Sequence, residues 1–159
     1  MNPVITAITG TELLMDTSTP YAALVKFYHA FNNRNLQLMT ENWLNNGDAS
    51  MSNPLGGVKR GWQEIEQVYK RIFNGAAQVY VEYYDYTLHH IDNMFCAVGK
   101  ERGYFKLGDN KVELTIRTSR IYQLNNNRWL QLHHHGSIDN PELLARYQAA
   151  VLGAAPKAI

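Results

Sequence analysis

Basic and imidazole side chains gather in residues 117–137, which read as two strands joined by an asparagine turn. Asparagine tolerates the positive φ of a tight hairpin, and side chains alternate between the two faces of a strand. His133 and His135 therefore share one face. With two central residues in the turn, Arg120 falls opposite His133. Thr118 then falls opposite His135, so the hairpin brings a guanidinium and two imidazoles together.

The face so formed carries six side chains able to form hydrogen bonds: Thr118, Arg120, Tyr122, Gln131, His133 and His135. It either is solvated or lines a cavity. In a cavity, the two histidines are candidate catalytic residues, because imidazole exchanges protons near neutral pH. The candidate ligand-binding residues are Arg120, Gln131, Tyr122 and Thr118, with Trp43 as an aromatic wall. The guanidinium suits a small-molecule ligand with an anionic or carbonyl group.

Each of these residues also has a structural interpretation. The histidines can instead bond to a neighbouring strand or helix. A buried guanidinium needs an anionic partner, and Glu101 or Glu113 can supply it from inside the protein. No third ligand is placed beside His133 and His135, so the sequence predicts no metal site and no cofactor.

The elements that must position these residues are helices first and long strands afterwards. Thr19 and Pro20 start a helix that runs to about residue 33. Further helices are predicted at residues 35–43, 61–74 and 140–152, and strands at residues 49–53, 79–91, 94–107 and 111–124, ahead of the second half of the hairpin. This order predicts an α+β fold, with N-terminal helices on a strongly bent antiparallel sheet and a C-terminal helix. Gly99 and Gly103 favour the bend, which makes a cone with one open mouth.

Composition excludes several classes of function. The net charge is only +1, from 15 basic and 14 acidic residues, so neither nucleic acid nor an anionic membrane is an expected partner. A single cysteine, Cys96, excludes an internal disulfide. There is no basic region ahead of the first apolar residues and no apolar run of about 20 residues. We therefore expect a cytoplasmic protein.

Three motifs carry a family resemblance. They are FNNRNL at residues 31–36, the segment 48–65 with Asn53-Pro54-Leu55-Gly56, and the run from Trp129 to Ser137. These motifs resemble the nuclear transport factor 2-like superfamily, which includes ketosteroid isomerases, SnoaL-like polyketide cyclases and the association domain of calcium/calmodulin-dependent protein kinase II. The resemblance implies a cone-shaped domain at residues 19–138. An arm at residues 1–18 precedes it, and a C-terminal helix and tail at residues 139–159 follow.

The sequence departs from the ketosteroid isomerases at two positions that matter for their chemistry. The aspartate that acts as their general base corresponds to Asn53, and an amide cannot accept a proton at neutral pH. Their oxyanion-binding tyrosine corresponds to Phe27, and the neighbouring Tyr28 points about 100° away on the helix. We therefore do not expect that mechanism. The arginine of the association domains corresponds to Arg120, which the resemblance places in the pocket.

Two functions remain open at this point. The first is a small-molecule-binding protein, as a lyase, isomerase or cyclase, in which Arg120 orients the ligand and His133 or His135 moves a proton. The second is an assembly module without catalysis, in which the outer face of the sheet forms homodimers or larger rings. The polar face of the hairpin favours the first.

Overall fold

The computed structural model describes residues 1–153, and its elements follow the predicted order. The helices are α1 (Pro20–Asn32), α2 (Leu36–Asn42), α3 (Trp62–Asn74) and α4 (Pro141–Leu152). The strands are β1 (Ser50–Ser52), β2 (Lys59–Arg60), β3 (Gln78–Ile91), β4 (Met94–Leu107), β5 (Asn110–Asn125) and β6 (Arg128–Ser137). The predicted α+β class is confirmed. The end of the predicted C-terminal tail, residues 154–159, lies outside the described residues.

Short polar side chains fix where three of the four helices within residues 1–153 begin, α1, α2 and α4. Thr19 Oγ1 accepts a hydrogen bond from the Ala22 amide at the start of α1, where Pro20 has the first helical position. Asn35 and Asn140 cap α2 and α4 in the same way. None of the helices between residues 1 and 153 is both long enough and apolar enough to cross a membrane.

The six strands form one curled sheet in the order β2-β1-β6-β5-β4-β3. Neighbours are antiparallel except β1 and β6, which run parallel. The concave face packs on α1 and α3, and the core lies between them. The bend brings β3 and β4 so close that a Cβ on Gly103 would lie 2.0 Å from the Tyr80 carbonyl oxygen. Glycine is therefore required where the sheet turns inward.

The β5–β6 hairpin has the predicted turn but not the predicted register. Asn126 and Asn127 both have positive φ, 48° and 60°, and form the two central residues. Tyr122 pairs with Gln131 as expected, but Ile121 pairs with His133. Leu132 is thus an extra residue, a β-bulge that shifts the rest of β6 by one position.

The N-terminal arm lies along the free edge of β3. Val4 and Ile8 form antiparallel bridges to Tyr86 and Tyr83, and Ile8 is fully buried. The Glu12 carboxylate accepts hydrogen bonds from the backbone amides of residues 9 and 10. The arm therefore covers backbone groups that would otherwise be open to pairing.

Candidate functional site

The β-bulge at Leu132 places His134, and not His133, in the interior of the cone. Arg120 pairs with His134, not His133, and His134 is buried on the concave face. His133 lies on the convex face, where its Nδ1 is hydrogen-bonded to Ser50 Oγ at 2.7 Å. His135 is exposed on that same face. The predicted juxtaposition of Arg120 with His133 and His135 is therefore wrong, because side-chain alternation was counted through an extra residue.

Arg120 is held inside the cone by hydrogen bonds from each of its three nitrogens to protein partners. Its Nη2 donates to Glu101 Oε1 at 2.7 Å, its Nη1 to Gln131 Oε1 at 2.8 Å and its Nε to Tyr28 Oη at 3.2 Å. The guanidinium carbon also lies 3.6 Å from the ring centre of Phe27. Both charged side chains of the pair are almost wholly buried, at 2% and 5% exposure. Of the two carboxylates considered from sequence, Glu101 is the internal partner.

A second layer of hydrogen bonds fixes this cluster. Tyr28 donates to Glu101 Oε1 at 2.7 Å, and Tyr122 donates to Asn42 Oδ1 at 3.0 Å. Asn42 in turn donates to the Ala23 carbonyl at 3.0 Å, which ties the sheet to α1. The polar interior is thus satisfied largely by its own members, as buried polar groups require.

Burial and the ion pair set the charge states of the cluster. Burial alone lowers the pKa of Arg120, but the negative charges of Tyr28, once it ionises at high pH, and of Glu101 outweigh burial and raise that pKa above its usual value. Burial likewise raises the pKa of Tyr28 well above its usual range. At neutral pH the guanidinium is therefore charged and the phenol is protonated.

His134 is one of three buried side chains, with Trp43 and Thr118, that have a polar atom without a hydrogen-bond partner within residues 1–153, and it is the one of the three that lines the interior cavity. It is 6% exposed, and its Nδ1 finds no hydrogen-bond acceptor or donor within residues 1–153. Burial, followed by the charge of Arg120, lowers its pKa well below 6.5. The imidazole is therefore neutral at pH 7 and able to accept a proton.

The cone interior retains a cavity of only about 30 Å³. Its polar lining includes Asn53, Glu101, Arg120 and His134, and its apolar lining includes Phe27, Phe31, Tyr69, Ile116 and Tyr147. A space of this size holds about one water molecule. Small-molecule sites usually measure about 300–1,000 Å³, so this cavity is closed to a ligand in the form described.

Of the five predicted ligand-binding residues, only Arg120 lines this cavity. Gln131 and Tyr122 are fully buried behind it, bonded to Arg120 and Asn42. Thr118 points inward beside Gly99 and Gly136 without lining it. Trp43 is core, with its ring centre 6.3 Å from Trp62 and 6.2 Å from Tyr69.

A larger groove of about 720 Å³ lies elsewhere, between the arm, α1, α2 and the tip of the β5–β6 hairpin. Its cations are bonded to backbone oxygens, Lys26 to Thr17 and Arg128 to Glu41. Apolar residues such as Leu14 and Trp129, and polar ones such as Glu12 and His29, line the rest of the groove. The smaller cavity brings a buried ion pair and a buried imidazole together. Within residues 1–153, no group of three His, Cys, Asp or Glu side chains could hold a metal ion.

Sequence reasoning missed His134 and Tyr28 as interior polar groups. A signal for His134 was present, because Ile138 is apolar and buried and shares strand parity with His134. Counting back from Ile138 points His134 inward, whereas counting forward from Trp129 points His133 inward. The two counts disagree by one residue, which is the signature of a bulge. Tyr28 had no comparable signal, since its direction depends on how α1 sits on the sheet.

Helices closing a curled, unclosed sheet around a polar interior define the cone-shaped α+β class of the nuclear transport factor 2-like proteins. A family model then gives the particular family. The model of the SnoaL-like domain matches residues 21–141, well over half of the sequence. The chain therefore belongs to the SnoaL-like domain family. No curated protein matches it.

Solved structures agree on the fold. A protein from Thiobacillus denitrificans, assigned to the calcium/calmodulin-dependent protein kinase type II association domains, is 22% identical with a TM-score of 0.63, over 77% of this chain and 96% of that one. A ketosteroid isomerase-like protein from Erwinia carotovora atroseptica is 12% identical with a TM-score of 0.65, over 81% and 100%. A nuclear transport factor 2-like superfamily protein from Salmonella enterica is 18% identical with a TM-score of 0.63, over 72% and 84%. Identities this low show the fold alone.

Proposed function

We propose that the chain is a small-molecule-binding enzyme of the isomerase, lyase or cyclase type, whose site is the cone interior and whose proton-transferring residue is His134. The observation that carries the proposal is a neutral, buried imidazole with an unpartnered nitrogen, lining the same cavity as a carboxylate and a guanidinium. Burying a polar group without a partner costs free energy, and a functional role is one reason for a protein to keep such a group. His134 takes the role that the sequence had given to His133 and His135.

Glu101 is the second candidate for proton transfer. Both hydrogen bonds that it accepts within the described chain fall on Oε1, so Oε2 is left for a ligand. A carboxylate and a neutral imidazole are both proton acceptors, so either can take a hydrogen from the carbon beside a carbonyl group and, once protonated, return it to the ligand as an acid. Arg120 and Tyr28 hold this carboxylate in place.

The charge of the site favours an uncharged ligand. The Arg120 guanidinium is neutralised by Glu101, and His134 carries no charge at neutral pH. An anionic ligand, which the sequence also allowed, would have to compete with Glu101 for the guanidinium. A carbonyl or hydroxyl group needs only a hydrogen bond from the same residues. We therefore infer a ligand with a carbonyl or hydroxyl group.

Proton exchange at a simple ketone tests this function. Cyclohexanone in D₂O loses the signal of its α-hydrogens in proton NMR when a base removes one as a proton and the enolate takes up a deuteron. We expect the wild type to exceed buffer, and His134→Gln to lose about 100- to 10,000-fold of that exchange. The control His89→Gln changes an exposed histidine on β3 and should exchange like the wild type. No exchange above buffer in the wild type, or loss in His135→Gln but not in His134→Gln, would contradict the proposal.

An assembly role is a second candidate, favoured by the convex face of the sheet. Val98 is 44% exposed near its centre, beside the outward-facing pair Cys96 and Ile121 on β4 and β5. An exposed apolar centre ringed by charged residues, such as the Lys100–Asp85 pair, is the anatomy of a subunit interface. We therefore propose a homodimer or larger ring through this face, in a cytoplasmic protein.

Light scattering tests the assembly role. The wild type should have at least twice the mass of one chain, and Val98→Lys should shift it toward the monomer by burying a charge in the interface. A dimer is compatible with either function, whereas a larger ring favours assembly. A wild type that is monomeric at all concentrations would exclude it.

A further inference from the structure

Helix α4 packs against α3 and β4, and one of its side chains reaches the cavity. Tyr147 is 4% exposed and lines the cavity together with Glu101, Arg120 and His134. Its ring centre lies 5.7 Å from that of Phe105 on β4. The interior is therefore filled by a side chain that the sheet and the first three helices do not supply.

The phenol of Tyr147 lines the same cavity as the polar groups that a ligand would meet. Burial, followed by the charges of Glu101 and Tyr69, raises its pKa, so it stays protonated. Its hydroxyl makes no hydrogen bond to another side chain or to the backbone within residues 1–153, although the ring is buried. A neutral six-membered ring with a single oxygen thus already occupies this space.

We propose that Tyr147 occupies the place of the ligand ring, and that the cone takes an uncharged compound of one six-membered ring bearing a hydroxyl or carbonyl oxygen once α4 swings aside. This inference rests on the proposed function, since it takes the cone interior as the ligand site. The remaining 30 Å³ plus the space of a phenol ring approaches the roughly 150 Å³ that accommodates a benzene-sized guest. The ligand oxygen would then face Glu101 and His134.

The attachment of α4 is suited to such a movement. Only Tyr147 and Val151 of its residues are buried, whereas α1 buries eight. Within residues 1–153, two hydrogen bonds other than those at its own caps join α4 to the rest of the protein. Gln148 Nε2 donates to the Pro54 carbonyl at 2.8 Å, and Arg71 Nη2 donates to the Leu152 carbonyl at 2.7 Å. Elements with few buried contacts open at the lowest free energy.

Equilibrium binding of phenol and cyclohexanone to full-length variants, followed by NMR titration, tests the inference. Tyr147→Ala should bind both probes at least tenfold more tightly than the wild type, and benzoate, their charged analogue, no more tightly. Phe73→Ala is the matched control, because it removes a buried aromatic ring that does not line the cavity. It should not gain affinity for phenol.

A second variant distinguishes tighter binding that comes from movement of α4 from tighter binding that comes from removal of the Tyr147 side chain. Gln148→Ala leaves the cavity lining unchanged and removes the bond to Pro54. It should bind phenol several-fold more tightly than the wild type, because apparent affinity rises with the fraction of open molecules. Unchanged phenol affinity in Gln148→Ala, or in a folded Tyr147→Ala, would overturn the inference, as would equally tight binding of benzoate. Ring binding without His134-dependent exchange would instead refute only the proposed proton transfer.

Discussion

Replacing Glu101 by glutamine removes the negative charge beside Arg120 while keeping the shape of the side chain and one accepting oxygen. The guanidinium remains buried and charged, since its side chain is 2% exposed. Removing one partner of a buried ion pair costs about 3–5 kcal/mol, because the other charge loses its compensation. With an m-value of about 2 kcal/mol per molar urea, the unfolding midpoint should fall by about 2 M.

Urea unfolding followed by circular dichroism measures this shift, and the exposed pair Arg117–Asp139 supplies the control. Its charged atoms are 2.8 Å apart, but the side chains are 67% and 69% exposed. Asp139→Asn should therefore cost less than about 1 kcal/mol. The double variant Arg120→Met with Glu101→Gln should recover much of the loss, because no buried charge remains. A Glu101→Gln shift no larger than that of Asp139→Asn, or a double variant as unstable as the sum of the single ones, would refute this reasoning.

Two further perturbations follow from the same structure. The pKa of His134 is lowered by burial in the folded state and stands near 6.5 in the unfolded chain, so the unfolded chain takes up the proton first as pH falls. The contribution of His134 to the free energy of unfolding should therefore fall by about 1.4 kcal/mol per pH unit below 6.5, until the pH reaches the pKa of His134 in the folded state. Urea unfolding at pH 7, 6 and 5 should show a smaller drop in His134→Gln, and an equal drop would contradict the assignment. Gly103→Ala should cost about 3 kcal/mol or more, because its Cβ would meet the Tyr80 backbone. Gly47→Ala, with open space around that position, should stay within about 0.5 kcal/mol, and equal melting temperatures for the two variants would contradict the close approach.

Features encoded in short stretches of sequence were predictable. Thr19 with Pro20 gave the start of α1, and the asparagine pair gave the turn between β5 and β6. In both, the atoms that decide the conformation lie within four residues of one another. The order of helices before strands then led to the α+β class, because each face must be buried against another layer.

The interior of the site depends on contacts that no short window contains. The bulge at Leu132 lets β6 pair with β5 on one side and with β1 on the other, where Ser50 meets His133. The sequence predicted the apolar stripe of α4, but it did not predict that Tyr147 would enter the cone. Arg120 pairs with Glu101, which lies 19 positions away on β4. The sequence left both Glu101 and Glu113 open as this partner.

The arm along β3 has a consequence for how this sequence can diverge. Its bridges at Val4 and Ile8 use main-chain atoms, so most side chains of the arm can differ among orthologues without loss of these bridges. Gly10 is different, because it has φ of +89° and a Cβ would lie 2.3 Å from the His29 amide nitrogen. Orthologues that keep the arm should therefore vary around a fixed glycine, and those that lose this glycine should lose the arm with it.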